Sequence, residues 1–69
     1  MPSFAEYKQA MLRAIECARH AGATISGPTE VLPGPRLSYG ISGSTAEHDR
    51  CYDEHAVHID MVYQASIQR

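Results

Sequence analysis

The N-terminal twenty residues leave this chain little conformational choice. Ser3 and Glu6 stand at the spacing of a capping box, in which each side chain accepts a hydrogen bond from the other residue's backbone N–H. At about 100° per residue, Phe4, Tyr7, Met11, Ala14, Ile15 and Ala18 fall on one face, while Glu6, Gln9, Arg13, Glu16 and His20 fall on the other. Gly22 supplies a left-handed stop, and Pro2 sits just outside the start. The pattern predicts an amphipathic helix with Leu12 off its apolar face and Cys17 at the margin of that face as an ordinary core residue. Its apolar stripe needs a cover, and the cover must come from a chain of only 69 residues. Residues 1–69 make a single domain that buries about 60% of its unfolded surface. Domains of this size lean on a disulfide, a metal or self-association for part of their stability.

Beyond the helix the punctuation changes. Residues 23–26 read as a short extended segment, and Gly27-Pro28 and Pro33-Gly34-Pro35 bracket a loop from which Val31 and Leu32 turn back to the core. From Arg36 the period is two: Leu37, Tyr39 and Ile41 alternate with Ser38, Gly40 and Ser42, which predicts a half-buried strand. Gly40 within it signals a bulge or a close backbone approach. Ser44-x-x-Glu47 repeats the capping-box spacing, so a short helix or a structured loop covers about 45–53. Val57, Ile59, Met61, Tyr63, Ala65 and Ile67 again alternate with His58, Asp60, Val62, Gln64 and Ser66, which predicts a second strand over 57–67. The sum is an α+β fold: the N-terminal helix on a small, mainly antiparallel sheet of two or three strands, with 36–42 and 57–67 as neighbours. Open strand edges in so small a sheet invite pairing with a second copy, a homodimer, or with a partner.

The chemistry concentrates in residues 47–60, which hold Glu47, Asp49, Asp53, Glu54 and Asp60, His48, His55 and His58, and Cys51, with Arg50 the only base. Residues 1–36 carry a net +1 from Lys8, Arg13, Arg19 and Arg36 against Glu6, Glu16 and Glu30; residues 37–69 carry a net −3. Phosphate binding needs a basic patch and none is visible, so direct nucleic-acid binding is not expected; a basic protein surface is the better-matched partner. Zinc needs three or four convergent ligands, and Cys51, His48, His55, His58 and Asp60 offer them in no familiar spacing. His58 and Asp60 share one face if 57–67 is a strand; His48, Cys51 and His55 share one stripe if 45–55 is a helix. Carboxylates crowd Cys51, which raises a thiol pKa and works against a nucleophile. The reading is a non-enzymatic interaction protein without a cofactor, with Glu47, Asp49, Asp53 and Glu54 as contacts and His48, His58 and Asp60 in support. A His/Cys/Asp metal or thiol site is the alternative. No run approaches a membrane span, and two cysteines 34 apart do not suggest a secreted framework, so a cytoplasmic setting with reduced thiols is expected.

Two resemblances add to this. The run from Ala14 through Cys17, Gly22 and Ala23 to Gly27-Pro28, followed by Leu32-Pro33, resembles the helix, Gly-Ala turn and short strand of the small-subunit ribosomal protein ten family. That family's preceding strand and basic character have no counterpart here, so the resemblance implies a shared helix–turn–strand pattern, with an RNA-associated module as a further alternative. In size, absence of a catalytic motif and acidic face, the chain is similar in class to the phage-encoded inhibitors called anti-CRISPR proteins. That similarity implies a cytoplasmic inhibitor whose acidic face blocks the basic surface of a nucleic-acid-binding complex.

Overall fold

A computed structural model of the chain describes residues 2–31 and 35–67. The elements run in the order α1 (Phe4–His20), β1 (Thr24–Val31), β2 (Arg36–Ser42), α2 (Ala46–His55) and α3 (Val57–Ile67). The fold is α+β: a long helix, a two-stranded antiparallel sheet and two further helices. α1 starts at the capping box, with Glu6 N–H donating to Ser3 Oγ at 3.2 Å and Ser3 N–H to Glu6 Oε1 at 3.3 Å. It ends at Gly22, whose φ of +103° lies in the left-handed region. Tyr7, Ala10, Met11, Ala14, Ile15 and Ala18 are buried along one stripe, and Phe4 packs at its end. Leu12 is exposed, as its place off the stripe requires.

The strand expected to end at residue 26 runs on to Val31. Its antiparallel register with β2 pairs Ile25 with Ile41 and Ser26 with Gly40, then slips before resuming at Thr29 opposite Ser38. The slip lifts Gly27 and Pro28 off the ladder, so the proline's missing N–H costs no rung. Gly27 has φ +93°, and a Cβ there would lie 3.2 Å from the Ser38 carbonyl oxygen. Gly40 makes the close approach its position signalled: a Cβ on it would meet Ser26 Oγ at 3.0 Å. The loop expectation at 33 and 34, and the inward turn of Leu32, fall outside the described residues; Val31 is half-buried. In β2 the alternation holds, with Leu37 buried and Tyr39 and Ile41 half-buried. Arg19 reaches from the last turn of α1 to the β1 backbone, donating from Nη2 to the carbonyls of Ile25 at 3.2 Å and Gly27 at 2.9 Å.

The second helical expectation is met over Ala46–His55, but not through the second capping box. Thr45 is the cap residue and gives no side-chain cap bond; Ser44 Oγ instead accepts from Ala46 N–H at 3.2 Å. The expected strand over 57–67 is wrong: the segment is helix α3, and β2 pairs with β1 instead. The reason lies in the spacing. Ile59, Tyr63 and Ile67 stand at i, i+4 and i+8, which satisfies both a period of two and successive turns of a helix. Ala56, three before Ile59, is the position only the helix explains, and it is buried with Tyr63 while Ile59 packs beside them. The remaining apolar positions of the alternation turn outward in part: Val57 is half-buried, Ala65 is exposed and Met61 is 65% exposed.

α1 lies at the centre and touches every other element. One part of the core joins Tyr7, Ala10, Met11 and Ala14 to Leu37, Ala56 and Tyr63; the other joins Ile15 and Ala18 to Ile25 and Cys51. Tyr7 and Tyr63 stack with ring centroids 4.3 Å apart. Tyr7 Oη accepts the Leu37 N–H at 3.1 Å, and Tyr63 donates to the Pro35 carbonyl at 2.5 Å. Aromatic hydroxyls thereby satisfy two polar backbone groups where β2 begins.

Candidate functional site

α2 places the acidic residues. On a helix, Asp49 and Asp53 stand one turn apart on the side opposite Cys51, whereas Glu47 and Glu54 lie within about 60° of Cys51, nearer the side that meets α1, with Arg50 between Asp53 and Glu54. Asp49, Asp53 and Glu54 are exposed and Glu47 is half-buried. None of the ion pairs among the described residues involves Glu47, Asp53 or Glu54. His58, in the first turn of α3, is exposed as well.

His48 and Asp60 lie elsewhere. His48 is buried, with its ring against Tyr39 and parallel to Tyr52. Its Nε2 is 2.5 Å from the Tyr39 hydroxyl, and its Nδ1 is 3.4 Å from Asp49 Oδ1. With Tyr39 donating, His48 is the tautomer that carries its proton on Nδ1, toward Asp49. Asp60 is half-buried; it accepts from the Tyr52 hydroxyl, and from Gln64 Nε2 at 3.3 Å. The shared face expected for His58 and Asp60 does not exist, because positions two apart on a helix are about 200° apart.

These tyrosines hold their protons firmly. Burial, with the negative charge of Asp60 behind it, pushes the Tyr39 hydroxyl up to about 12. Burial also raises Tyr52, helped by the hydrogen bond it gives to Asp60, and raises Tyr7, where the Leu37 N–H works the other way. At neutral pH all three are hydroxyls that can donate, not bases. No buried side-chain nitrogen or oxygen among the described residues lacks a partner. The interior network is thus complete among the described residues and ties α2 to β2 through Tyr39 and His48 and to α3 through Tyr52 and Asp60.

The two cysteines correct the expectation of reduced, separate thiols: Cys17 and Cys51 form a disulfide between α1 and α2, with Cα atoms 5.8 Å apart. Separation in sequence concealed this, because α2 returns alongside α1 and sets the i, i+3, i+7 stripe of His48, Cys51 and His55 toward that helix. Cys51 is fully buried and Cys17 half-buried. Around the exposed side of Cys17, its Sγ, a Glu54 carboxylate oxygen and a His55 ring nitrogen all lie within 4.8 Å of one another. Sequence reasoning paired Cys51 with His48 and His55 and passed over Cys17 and Glu54. The even cysteine count was the one available signal.

Beside this cluster, an open cleft of about 440 Å³ separates the polar face of α1 from the α2–α3 junction, lined by Glu6, Gln9, Arg13, Asp53, His55 and His58 among others. No helix among the described residues is long and apolar enough to cross a membrane. In comparisons with known proteins, no family model, no curated protein and no solved structure matches this chain.

Proposed function

We propose that this protein is a small, non-enzymatic interaction module, of the kind exemplified by phage-encoded inhibitors. It presents the outer face of α2 to a basic protein surface such as the nucleic-acid-binding groove of a partner. The observation that carries the reading is the run of exposed carboxylates on one ten-residue helix, Asp49, Asp53 and Glu54, of which Asp53 and Glu54 enter no ion pair within the described residues. Carboxylates fixed on a helix whose other face is anchored by a disulfide and a buried histidine are pre-organised for a complementary surface. His58 extends this face. His48 and Asp60 support it indirectly, by seating α2 and α3.

The test is affinity capture from the source cells with the wild type and with Asp49→Lys/Asp53→Lys, at low and high salt. Captured protein should be basic, lost from the variant and weakened by salt, while circular dichroism shows the variant folded. Retention of the same partner by the folded variant sinks the proposal. An RNA-associated role has less support, since the chain is net acidic and Arg19 is engaged with backbone carbonyls.

A further inference from the structure

The geometry points to a thiol-controlled zinc site made by Cys17, Cys51, Glu54 and His55. Three of its four side chains come from one helix: Cys51, Glu54 and His55 stand at i, i+3 and i+4, within about a third of the helix circumference. The fourth, Cys17, reaches them from α1, and its sulfur already lies within 4.8 Å of both the Glu54 oxygen and the His55 nitrogen. A tetrahedral zinc with Zn–S near 2.3 Å and Zn–N near 2.0 Å sets its ligand atoms about 3.5–3.8 Å apart. Cys51 joins the set through its bond to Cys17, and closing the distances takes rotation of two exposed side chains, Glu54 and His55, together with separation of the two sulfurs. Two thiolates, an imidazole and a carboxylate form a donor set suited to zinc and too soft for magnesium or calcium.

The disulfide is the gate. With Cys17 and Cys51 bonded to each other, both sulfurs are occupied and zinc finds only Glu54 and His55. A dithiol supplies two electrons and two protons; the S–S bond breaks, two cysteine thiols form, and the reductant leaves as its own disulfide. Zinc then binds both sulfurs as thiolates and releases two protons to solvent, while the imidazole binds in its neutral form. The sulfurs part from a covalent bond to a separation of about 3.8 Å. One crosslink between α1 and α2 is exchanged for another, so the seating of α2 survives in both states. This inference shares Glu54 with the acidic face but needs no partner for that face.

The test is an anaerobic titration of the full chain, without a histidine tag, by zinc and by cobalt. It compares protein reduced with a phosphine and freed of excess reagent with the oxidised protein. Reduced protein is expected to take up one metal per chain with a dissociation constant below about 1 µM, and oxidised protein to bind at least about a hundredfold more weakly. Cobalt should give the intense absorption of a tetrahedral thiolate complex. Loss of a supporting residue beside a metal costs about 10–100-fold in affinity, so loss of the ligand itself in His55→Ala should cost at least tenfold; Glu54→Gln should weaken binding in the same direction. If the reduced chain unfolds without metal, zinc should restore the circular dichroism of the oxidised protein. No uptake after reduction, uptake indifferent to both substitutions, an octahedral cobalt spectrum, or uptake without recovery of the fold would each overturn the site.

Discussion

Removing the Cys17–Cys51 crosslink isolates one large contribution to this fold. The bond joins residues 34 apart and closes a loop that contains the whole hairpin and the first turns of α2. In the chain-entropy account, a closed loop of about 35 residues lowers the entropy of the denatured ensemble by roughly 13 cal/mol/K, or about 4 kcal/mol at 25 °C. A domain of 69 residues has a total stability of roughly 3–10 kcal/mol, so the crosslink accounts for a large share of it. The perturbation is Cys17→Ala/Cys51→Ala, compared with the wild type before and after reduction by a phosphine. Urea unfolding should be followed by circular dichroism with a chelator present throughout. At about 1 kcal/mol per molar urea, the midpoint should fall by several molar, or the protein should be unfolded without denaturant. Truncating the wholly buried Cys51 adds a small packing loss, so the double variant should be slightly less stable than the reduced wild type. Peptide mapping without reductant locates the bond independently. A double variant within about 1 kcal/mol of the oxidised wild type would refute the entropic argument; mapping that finds free thiols would refute the pairing.

Tyr7→Phe should cost about 1–3 kcal/mol in the same assay, because the Leu37 N–H loses its acceptor; Tyr63→Phe, which removes only a donor, should cost about 1 kcal/mol or less. Equal effects would contradict that asymmetry. Alkali should destabilise the fold through its buried tyrosines. Tyr39 is raised from the ordinary value near 10 to about 12, so the native state keeps its proton where the unfolded chain gives it up; stability holds below about pH 10 and falls as pH rises toward 12. Tyr39→Phe should lessen the fall without abolishing it, since Tyr7 and Tyr52 are raised in the same direction, and a flat profile from pH 9 to 12 would refute the reasoning. Gly22→Ala should cost about 1–2 kcal/mol from backbone strain alone, for nothing lies within 4 Å of its added Cβ. Gly27→Ala should cost more, because its Cβ also crowds the Ser38 carbonyl, and thermal melts that ranked the two in reverse would contradict the bulge geometry.

The parts of the fold legible in the sequence are those determined within one or two turns of chain. α1 announced itself through Ser3, Glu6, its apolar stripe and Gly22, and β2 through the alternation of Leu37, Tyr39 and Ile41. α3 did not, because its apolar residues recur at multiples of two and of four at once, and the buried Ala56 that breaks the tie is too common a residue to signal anything. β1 was cut short because Gly27-Pro28 reads as a terminator when the partner strand that accommodates it as a bulge is unknown. In the candidate site, the outward Asp49 and Asp53 of α2 followed from helix geometry once a helix was granted. The inward roles of His48 and Asp60 depend on Tyr39 and Tyr52, nine and eight residues away, and on how β2 and α3 return to α2. The disulfide is the extreme case: it is a property of the packed helices and of no local pattern.

The guanidinium of Arg19 has a consequence for how copies of this protein meet. Its two bonds engage the carbonyls of Ile25 and Gly27, so a strand arriving there in a growing ribbon meets acceptors already held by a charged donor. A second molecule that adds to the hairpin there must displace a charged donor from these two acceptors. One arginine at the end of a helix therefore works as a brake on templated β-assembly.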